Sequence, residues 1–545
     1  MKMAHSMQGI YSPLPQSLSD SDSEKEISME PICTSYNSKS LNNYEDSFSR
    51  QNGHSLGLDD DIVKIKGASK MSLSRIIAFV ASIILCLLPI IIFLWVLPCS
   101  ELHTCPVKIS NWEHVQEGIE LKGPINVVSG AYKTSHNLAL MYKGSFNSAK
   151  SLKHGVMSFM GLSGWFLMFL TPVFKFYIPG NVAWDFEQDV EPLGINCGVL
   201  DTNKDGLLDC LVVDQKGLKA IETVSGQALW HAHSAEERNI LRDLSLPVVI
   251  ADLNNDGVRE LLSVFKKSSF LILSGRTGKA LTNIPAVHCG QITALYKTVK
   301  SGNFVTYKCI NATDTYYVSF TELEKTFKNA KYQMTVEPRT EHNNSDTFYA
   351  GSRKLVVSNG SNCPKCHCKL TLYDQSDQVL KYWSHNYAFV MQPKAFTFES
   401  SDSQKLKGHL NGFILKIWHW SEHYYKLRPS QRVNRRSLTG PNDTFYTTEV
   451  TERVVLITFN DSNIHEINAS YTEISQICRQ HGNDCQPAVE SQEDSLLVRD
   501  LEKDSSTELV SFYSSYVKRG EDWHLISYVK MLRLEEELPK LYGNK

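Results

Sequence analysis

Residues 201–209 read Asp-Thr-Asn-Lys-Asp-Gly-Leu-Leu-Asp, and residues 252–260 read Asp-Leu-Asn-Asn-Asp-Gly-Val-Arg-Glu. Oxygen-bearing side chains occupy positions 1, 3, 5 and 9 of both: Asp201, Asn203, Asp205 and Asp209, then Asp252, Asn254, Asp256 and Glu260. A hard divalent cation takes roughly six to eight oxygens at short range. Glycine at position 6 lets the backbone turn sharply and present the next carbonyl. The chemistry this spacing predicts is structural cation binding, with calcium as the ion.

These are not EF-hands, because that loop needs a bidentate Glu at position 12, where this chain has Val212 and Ser263. Short apolar runs precede the loops (198–200 and 248–250) and follow them (211–213 and 261–265), which reads as strand, acidic turn, strand. A second signature comes next in each case, Ser225-Gly226 ahead of Leu229-Trp230 and Ser274-Gly275 ahead of Ala280-Leu281. A unit of about fifty residues with several short strands predicts a mainly-β fold, a β-propeller of about seven or eight blades. A third copy, Asp500, Glu502, Asp504 and Glu508, has Ser505 in place of the glycine, and a fourth frame, 129–137, lacks carboxylates. Metal is expected at the first two only.

Elements of other kinds precede the repeats in this chain of 545 residues and net charge −3. Residues 1–70 predict a disordered, acidic cytosolic tail in which Ser19, Ser21 and Ser23 lie among acidic neighbours, as acidophilic kinases favour. Residues 71–98 hold an uncharged apolar run, Ile76 to Leu97, long enough for one transmembrane helix. Lys64, Lys66, Lys70 and Arg75 lie on its N-terminal side, so the positive-inside rule predicts a single-pass type II protein. Residues 105–545 then form a lumenal or extracellular ectodomain, at the cell surface or in a secretory-pathway membrane. Six Asn-x-Ser/Thr acceptors agree with that side: Asn311, Asn343, Asn359, Asn442, Asn460 and Asn468.

Cysteine usage fits an oxidising compartment, with eleven of thirteen from Cys99 onward. Disulfide candidates are Cys289 with Cys309, Cys478 with Cys485, and the cluster Cys363, Cys366 and Cys368. Zinc at that cluster is the weaker alternative, since no second C-x-x-C completes a four-ligand site. Cys99, at the membrane edge, is a candidate for acylation or an interchain bond.

One apolar stretch, 155–174, stands outside the pattern. Hydropathy reads it as a second span, which would return the acceptors to the cytosol. The repeat frame reads 165–179 as an insertion into a blade turn, either a membrane-facing loop or a gene-model error.

Catalytic signatures are missing: no G-x-S-x-G, H-E-x-x-H or phosphate-binding glycine loop occurs. No clustered basic face marks a nucleic-acid partner. The Arg432, Arg435 and Arg436 loop offers an Arg-x-x-Arg spacing that a secretory protease could cut.

The acidic tail, a span ending in Leu97-Pro98-Cys99, the paired acidic loops and Leu273-Ser-Gly-Arg-Thr-Gly278 together resemble the family with sequence similarity 234. That resemblance is clearest over about 190–285 and extends weakly to Cys363–Cys368 and 417–420. It implies a type II membrane protein with integrin-alpha FG-GAP-type repeats whose acidic loops bind calcium. The expected function is a membrane-tethered, glycosylated interaction module for an unidentified protein. The alternatives are a lumenal enzyme in the propeller funnel and a chaperone or sorting subunit for membrane proteins.

Overall fold

The computed structural model describes residues 73–96 and 111–534, apart from 131–135, 147–152, 162–179, 237–238, 287–288, 298–302, 311–314, 330–331, 340–345, 362, 400–408, 422–444, 460–462, 480–483, 502–506 and 521. A helix and a set of sheets fall in separate compact units. The helix, Leu73–Val96, has 24 residues. Its side chains are described only from 77 to 88, and among the described residues no helix is long and apolar enough to cross a membrane. The expected acidic tail lies outside the described residues.

Seven antiparallel sheets make up the other unit among the described residues. We number them as blades. Blade I comprises Ile119–Ser129, His136–Gly144, His154–Met160 and Val182–Gln188; blade II comprises Pro192–Leu200, Asp209–Asp214, Gly217–Ile221 and Ala228–His231. Blade III holds Val248–Val249, Leu261–Phe265, Ser269–Leu273 and Ala280–Pro285, and blade IV holds Ile292–Lys297, Phe304–Cys309, Thr315–Ser319 and Glu337–Arg339. Blade V follows with Thr347–Ala350, Arg353–Asn359, His367–Tyr373 and Val379–Asn386. Blade VI is larger, built on His409–Trp420, Phe445–Phe459 and Ile464–Arg479 with short flanking strands. Blade VII joins the two ends of the unit: Leu496–Arg499, Glu508–Arg519 and Asp522–Arg533 are completed by Trp112–Glu117, which pairs Trp112 with Met531. This closure leaves no free edge at either end of the chain of blades.

The second and third strands of blades II and III are buried along nearly their whole length, so they read as unbroken apolar runs rather than alternations. Their two faces pack against different neighbours. Leu211, Val213 and Leu218 join Leu261, Leu271 and Leu273 between blades II and III, while Cys210, Val212 and Ile221 join Met141, Val156 and Trp184 between blades I and II.

A recurrent tryptophan–glycine contact fixes three of these junctions. Trp112, Trp184 and Trp230 occupy the fourth strands of blades VII, I and II, and each ring lies on a glycine of the following blade: Gly180, Gly226 and Gly278. A Cβ on those glycines would come within 2.6, 2.7 and 2.5 Å of the ring. All three glycines have positive φ (78°, 73° and 71°), which a side chain would strain as well. The indole N–H groups donate to the carbonyls of Gly161, Thr223 and Gly275 at 3.3, 2.7 and 3.1 Å.

This contact places the unusual apolar stretch. Met160 N–H donates to Asn181 O and Gly180 N–H to Met160 O, the same pair of bonds that closes the turns Glu222–Gln227 and Ser274–Lys279. The described chain thus leaves blade I after Gly161 and resumes at Gly180, at the third turn, where blades II and III need only Val224-Ser225 and Arg276-Thr277. Residues 154–160 are a buried strand, so a second span beginning at 155 is corrected: the run is apolar because both its faces are covered by protein. The insertion itself lies outside the described residues.

Blades VI and VII are joined through a buried ion pair. Lys416 Nζ lies 3.0 Å from Glu452 Oε1 and donates to Phe512 O at 2.7 Å, while the Trp418 indole donates to Glu452 Oε2 at 2.9 Å. Burial lowers the Lys416 ammonium pKa, and Glu452 opposes that shift.

Two outcomes are expected in chemical denaturation. Trp230→Ala removes a staple and its cavity is not refilled, at a cost of about 3–5 kcal/mol. Glu452→Gln strands a buried ammonium and costs about 3–5 kcal/mol, whereas Lys416→Met with Glu452→Leu loses less than the single change. A double variant less stable than Glu452→Gln contradicts the desolvation argument.

Candidate metal centre

Both acidic loops connect the first and second strands of their blades, the place where strand ends leave a short turn free. The two share one hydrogen-bond plan. Gly206 and Gly257 N–H donate to Asp201 Oδ2 and Asp252 Oδ2, each at 2.9 Å. Asn203 and Asn254 accept from the N–H of Asp205 and Asp256 at 3.1 and 2.8 Å. Asp205 and Asp256 accept from Leu207 and Val258 at 2.7 and 2.9 Å. At position 9, Asp209 Oδ2 and Glu260 Oε2 accept from the N–H of Thr202 and Leu253 at 2.8 and 2.6 Å. Gly206 and Gly257 have φ of 86° and 82°, as the turn requires.

Oxygens are left over. Asp209 Oδ1, Asp252 Oδ1 and Glu260 Oε1 are buried without a hydrogen-bond partner. Burial pushes the Asp209 carboxyl up to about 6, helped by Asp205 and Asp201 and opposed by the Thr202 N–H. Glu260 is pushed up to about 7 by burial, with Asp252 and Asp256 adding to the effect. Orphaned buried carboxylate oxygen is costly, and a cation is the group that would satisfy it.

The loops differ in convergence. Carboxylate oxygens of Asp252, Asp256 and Glu260 lie within 4.8 Å of one another, while the first loop forms no such cluster among the described residues. In the first loop the Lys204 N–H takes Asp201 Oδ1 at 2.7 Å. The chain also ties the loops together: the Lys204 ammonium donates to the Asp256 carbonyl, and the Arg259 guanidinium donates to Val199 O at 2.6 Å. Neither link was read from the sequence, where both residues pass as solvated charges.

The third copy retains the frame and faces its position-9 carboxylate with an arginine. Leu501 N–H donates to Glu508 Oε2 at 2.8 Å, as in the other two loops, but Glu508 Oε1 faces Arg533 Nε at 3.6 Å. Arg533 pairs with Glu508 across the sheet. One step beyond the Cys210–Ile221 and Leu261–Leu273 pairs, the corresponding residues are Glu222 and Ser274, and neither carries positive charge. Residues 502–506 lie outside the described residues.

The cysteines pair as Cys197–Cys210, Cys289–Cys309, Cys363–Cys366 and Cys478–Cys485. Cys197–Cys210 brackets the first acidic loop and was not anticipated, although its residues face each other in register. Cys368 is corrected from the disulfide set: it is a free thiol, buried with Leu355, Leu370 and Leu372 between blades V and VI. Cys99 lies outside the described residues. So do Asn311, Asn343, Asn442 and Asn460. Asn468 is exposed on blade VI, whereas Asn359 is half-buried and clamps Val390, accepting from its N–H at 2.9 Å and donating to its carbonyl at 2.8 Å.

No curated protein sequence matches the chain. Several solved structures are similar in part. BBS1N, seen in complex with ARL6DN, is 11% identical, with 77% of this chain and 95% of that one covered at a TM-score of 0.32. BamB from Moraxella catarrhalis is 11% identical over 72% and 94% at 0.23, and Sqt1 from Saccharomyces cerevisiae 9% identical over 78% and 98% at 0.27. Superpositions this loose support no argument about function. Residues 179–362 match the FAM234A/B beta-propeller, from the Gly180 turn of blade I into blade V. That stretch, which contains both acidic loops, is similar to the FAM234A/B beta-propeller.

Proposed function

We propose that this protein is a single-pass type II membrane glycoprotein whose propeller is a calcium-stiffened protein-interaction module. The observation that carries the calcium reading is the set of buried, unpartnered oxygens on Asp209, Asp252 and Glu260. Asp201, Asn203, Asp205 and Asp209 would hold one ion, and Asp252, Asn254, Asp256 and Glu260 another. Charge neutralisation at these turns would lock the first hairpins of two adjacent blades, which Lys204 and Arg259 already link.

Support for the membrane anchor comes from the helix Leu73–Val96. Its described residues, 77–88, are all exposed, with Phe79, Ile84, Leu85 and Leu88 at least half exposed, and such a surface calls for an apolar solvent. Recognition is supported by exposed apolar side chains on the fourth strand of blade V, Val379, Leu380 and Tyr382, with Tyr349 on its first. A funnel enzyme gains nothing from the internal pocket between blades III and IV. Its lining is Leu262, Phe270, Val305, Tyr307, Val318, Leu323 and Met334, and its one hydroxyl, Tyr307, is pushed up to about 12 by burial.

Calcium binding is tested on the full chain in detergent by thermal unfolding in calcium and in chelator. At a hundredfold excess over Kd each ion adds about 2.7 kcal/mol, and the midpoint rises accordingly. Asp256→Asn with Glu260→Gln disables the second loop and removes about half of that rise. An unchanged midpoint at millimolar calcium rejects the reading. Direct titration should give two ions, with none added at the Arg533-paired loop.

Topology is tested separately by glycosidase digestion of protein from cells. Asn468→Gln should remove one glycan from the ladder, and a wild-type chain that does not shift at all places the propeller on the cytosolic side.

A further inference from the structure

We infer that Cys363 and Cys366 form an exchangeable redox pair that oxidises a dithiol substrate. The pair differs from the other three in what it holds. Cys197–Cys210 and Cys478–Cys485 bridge neighbouring strands, and Cys289–Cys309 ties the entry of blade IV to its second strand. Cys363–Cys366 has a sequence separation of three and lies inside the single turn between the second and third strands of blade V. Closing so short a loop restricts the unfolded chain least. The hairpin around it is secured independently, by the Asn359–Cys368 pair of the ladder and by the Gly360 N–H donating to His367 O at 2.8 Å. Opening this bond therefore releases no strand.

Access to the two sulfurs is unequal. Cys363 is half-buried, while Cys366 is 1% exposed and packs with Met391, Trp418 and Trp420. An incoming thiolate reaches Cys363. Lys365, between the two cysteines in sequence, is exposed, so that the turn opens to solvent on the Cys363 side. Cys368, two residues beyond Cys366, does not compete, because burial pushes its thiol up to about 11.

The exchange balances as follows. A substrate thiolate attacks Cys363 Sγ, the S–S bond breaks, and its electron pair goes to Cys366 Sγ, which takes a proton from water. The second substrate thiolate attacks the substrate sulfur of the mixed disulfide, forming the substrate disulfide and releasing Cys363 as a thiolate. The substrate loses two electrons and the pair gains them.

The test equilibrates the full chain in detergent with glutathione buffers and maps each cysteine by differential alkylation and mass spectrometry. Cys363–Cys366 should reach half reduction at a ratio of squared reduced glutathione to oxidised glutathione at least about tenfold lower than any other pair requires. Cys366→Ser should trap glutathione at Cys363, and Cys363→Ser should trap it at Cys366 at least about tenfold more slowly. Both variants should keep the wild-type melting midpoint. Dithiothreitol and a reduced, unfolded two-cysteine peptide then distinguish a small dithiol from a polypeptide as the faster reductant. Reduction of Cys363–Cys366 only together with the other pairs, which needs no variant to observe, overturns the inference.

Discussion

Indole rings seated on left-handed glycines hold consecutive blades in register, and much of the remaining geometry depends on that seat. A ring can lie flat on backbone only where no Cβ intervenes, and the positive φ that turns the chain there is also the conformation a side chain resists. Trp184 on Gly226 and Trp230 on Gly278 thus fix how blade I meets blade II and how blade II meets blade III. The two acidic loops stand on those same blades. There the Lys204 ammonium reaches from the first loop to the Asp256 carbonyl of the second.

The acidic loops occur in three versions of one design. In each, a position-9 carboxylate accepts the N–H of position 2, which closes the turn whatever else is present. What varies is the charge offered to the second carboxylate oxygen. Blade VII supplies a guanidinium from its own third strand, so Glu508 is neutralised within the protein. Blades II and III have no such cation at that register, and their carboxyls carry raised pKa values because burial is uncompensated. The same turn thus carries an internal cation in one copy and orphaned carboxylate oxygens in two others, the place where the proposed calcium would sit.

Much of this was legible locally. The spacing of Asp201 to Asp209 and of Asp252 to Glu260 dictated turn, glycine conformation and donor set, since each bond in the loop joins residues a few positions apart. The glycine frame placed an insertion at 165–179 in a blade turn, and the bonds of Met160 with Gly180 and Asn181 close that turn in the structure. Hydropathy misled at 155–160, because a strand covered on both faces has the same composition as the start of a membrane helix. Cys368 misled for a related reason: a cysteine near two others suggests a bridge, but its side chain points into a leucine-lined seam that no partner sulfur enters.

Sequence by itself determined the elements whose partners are near in the chain: the acidic turns, the Ser-Gly turns, and the closely spaced pairs Cys289–Cys309 and Cys478–Cys485, while the partner within the Cys363, Cys366 and Cys368 cluster was left to the structure. Tertiary structure alone decided the relations across strands and blades. Which tryptophan meets which glycine, that Arg533 faces Glu508, that Cys197 stands opposite Cys210, and that Trp112–Glu117 completes a blade begun at Leu496 all depend on register. The reason is physical. A loop's conformation is set by bonds it can make to itself, whereas register is set by the simultaneous fit of many buried side chains, and no short window of sequence contains that fit.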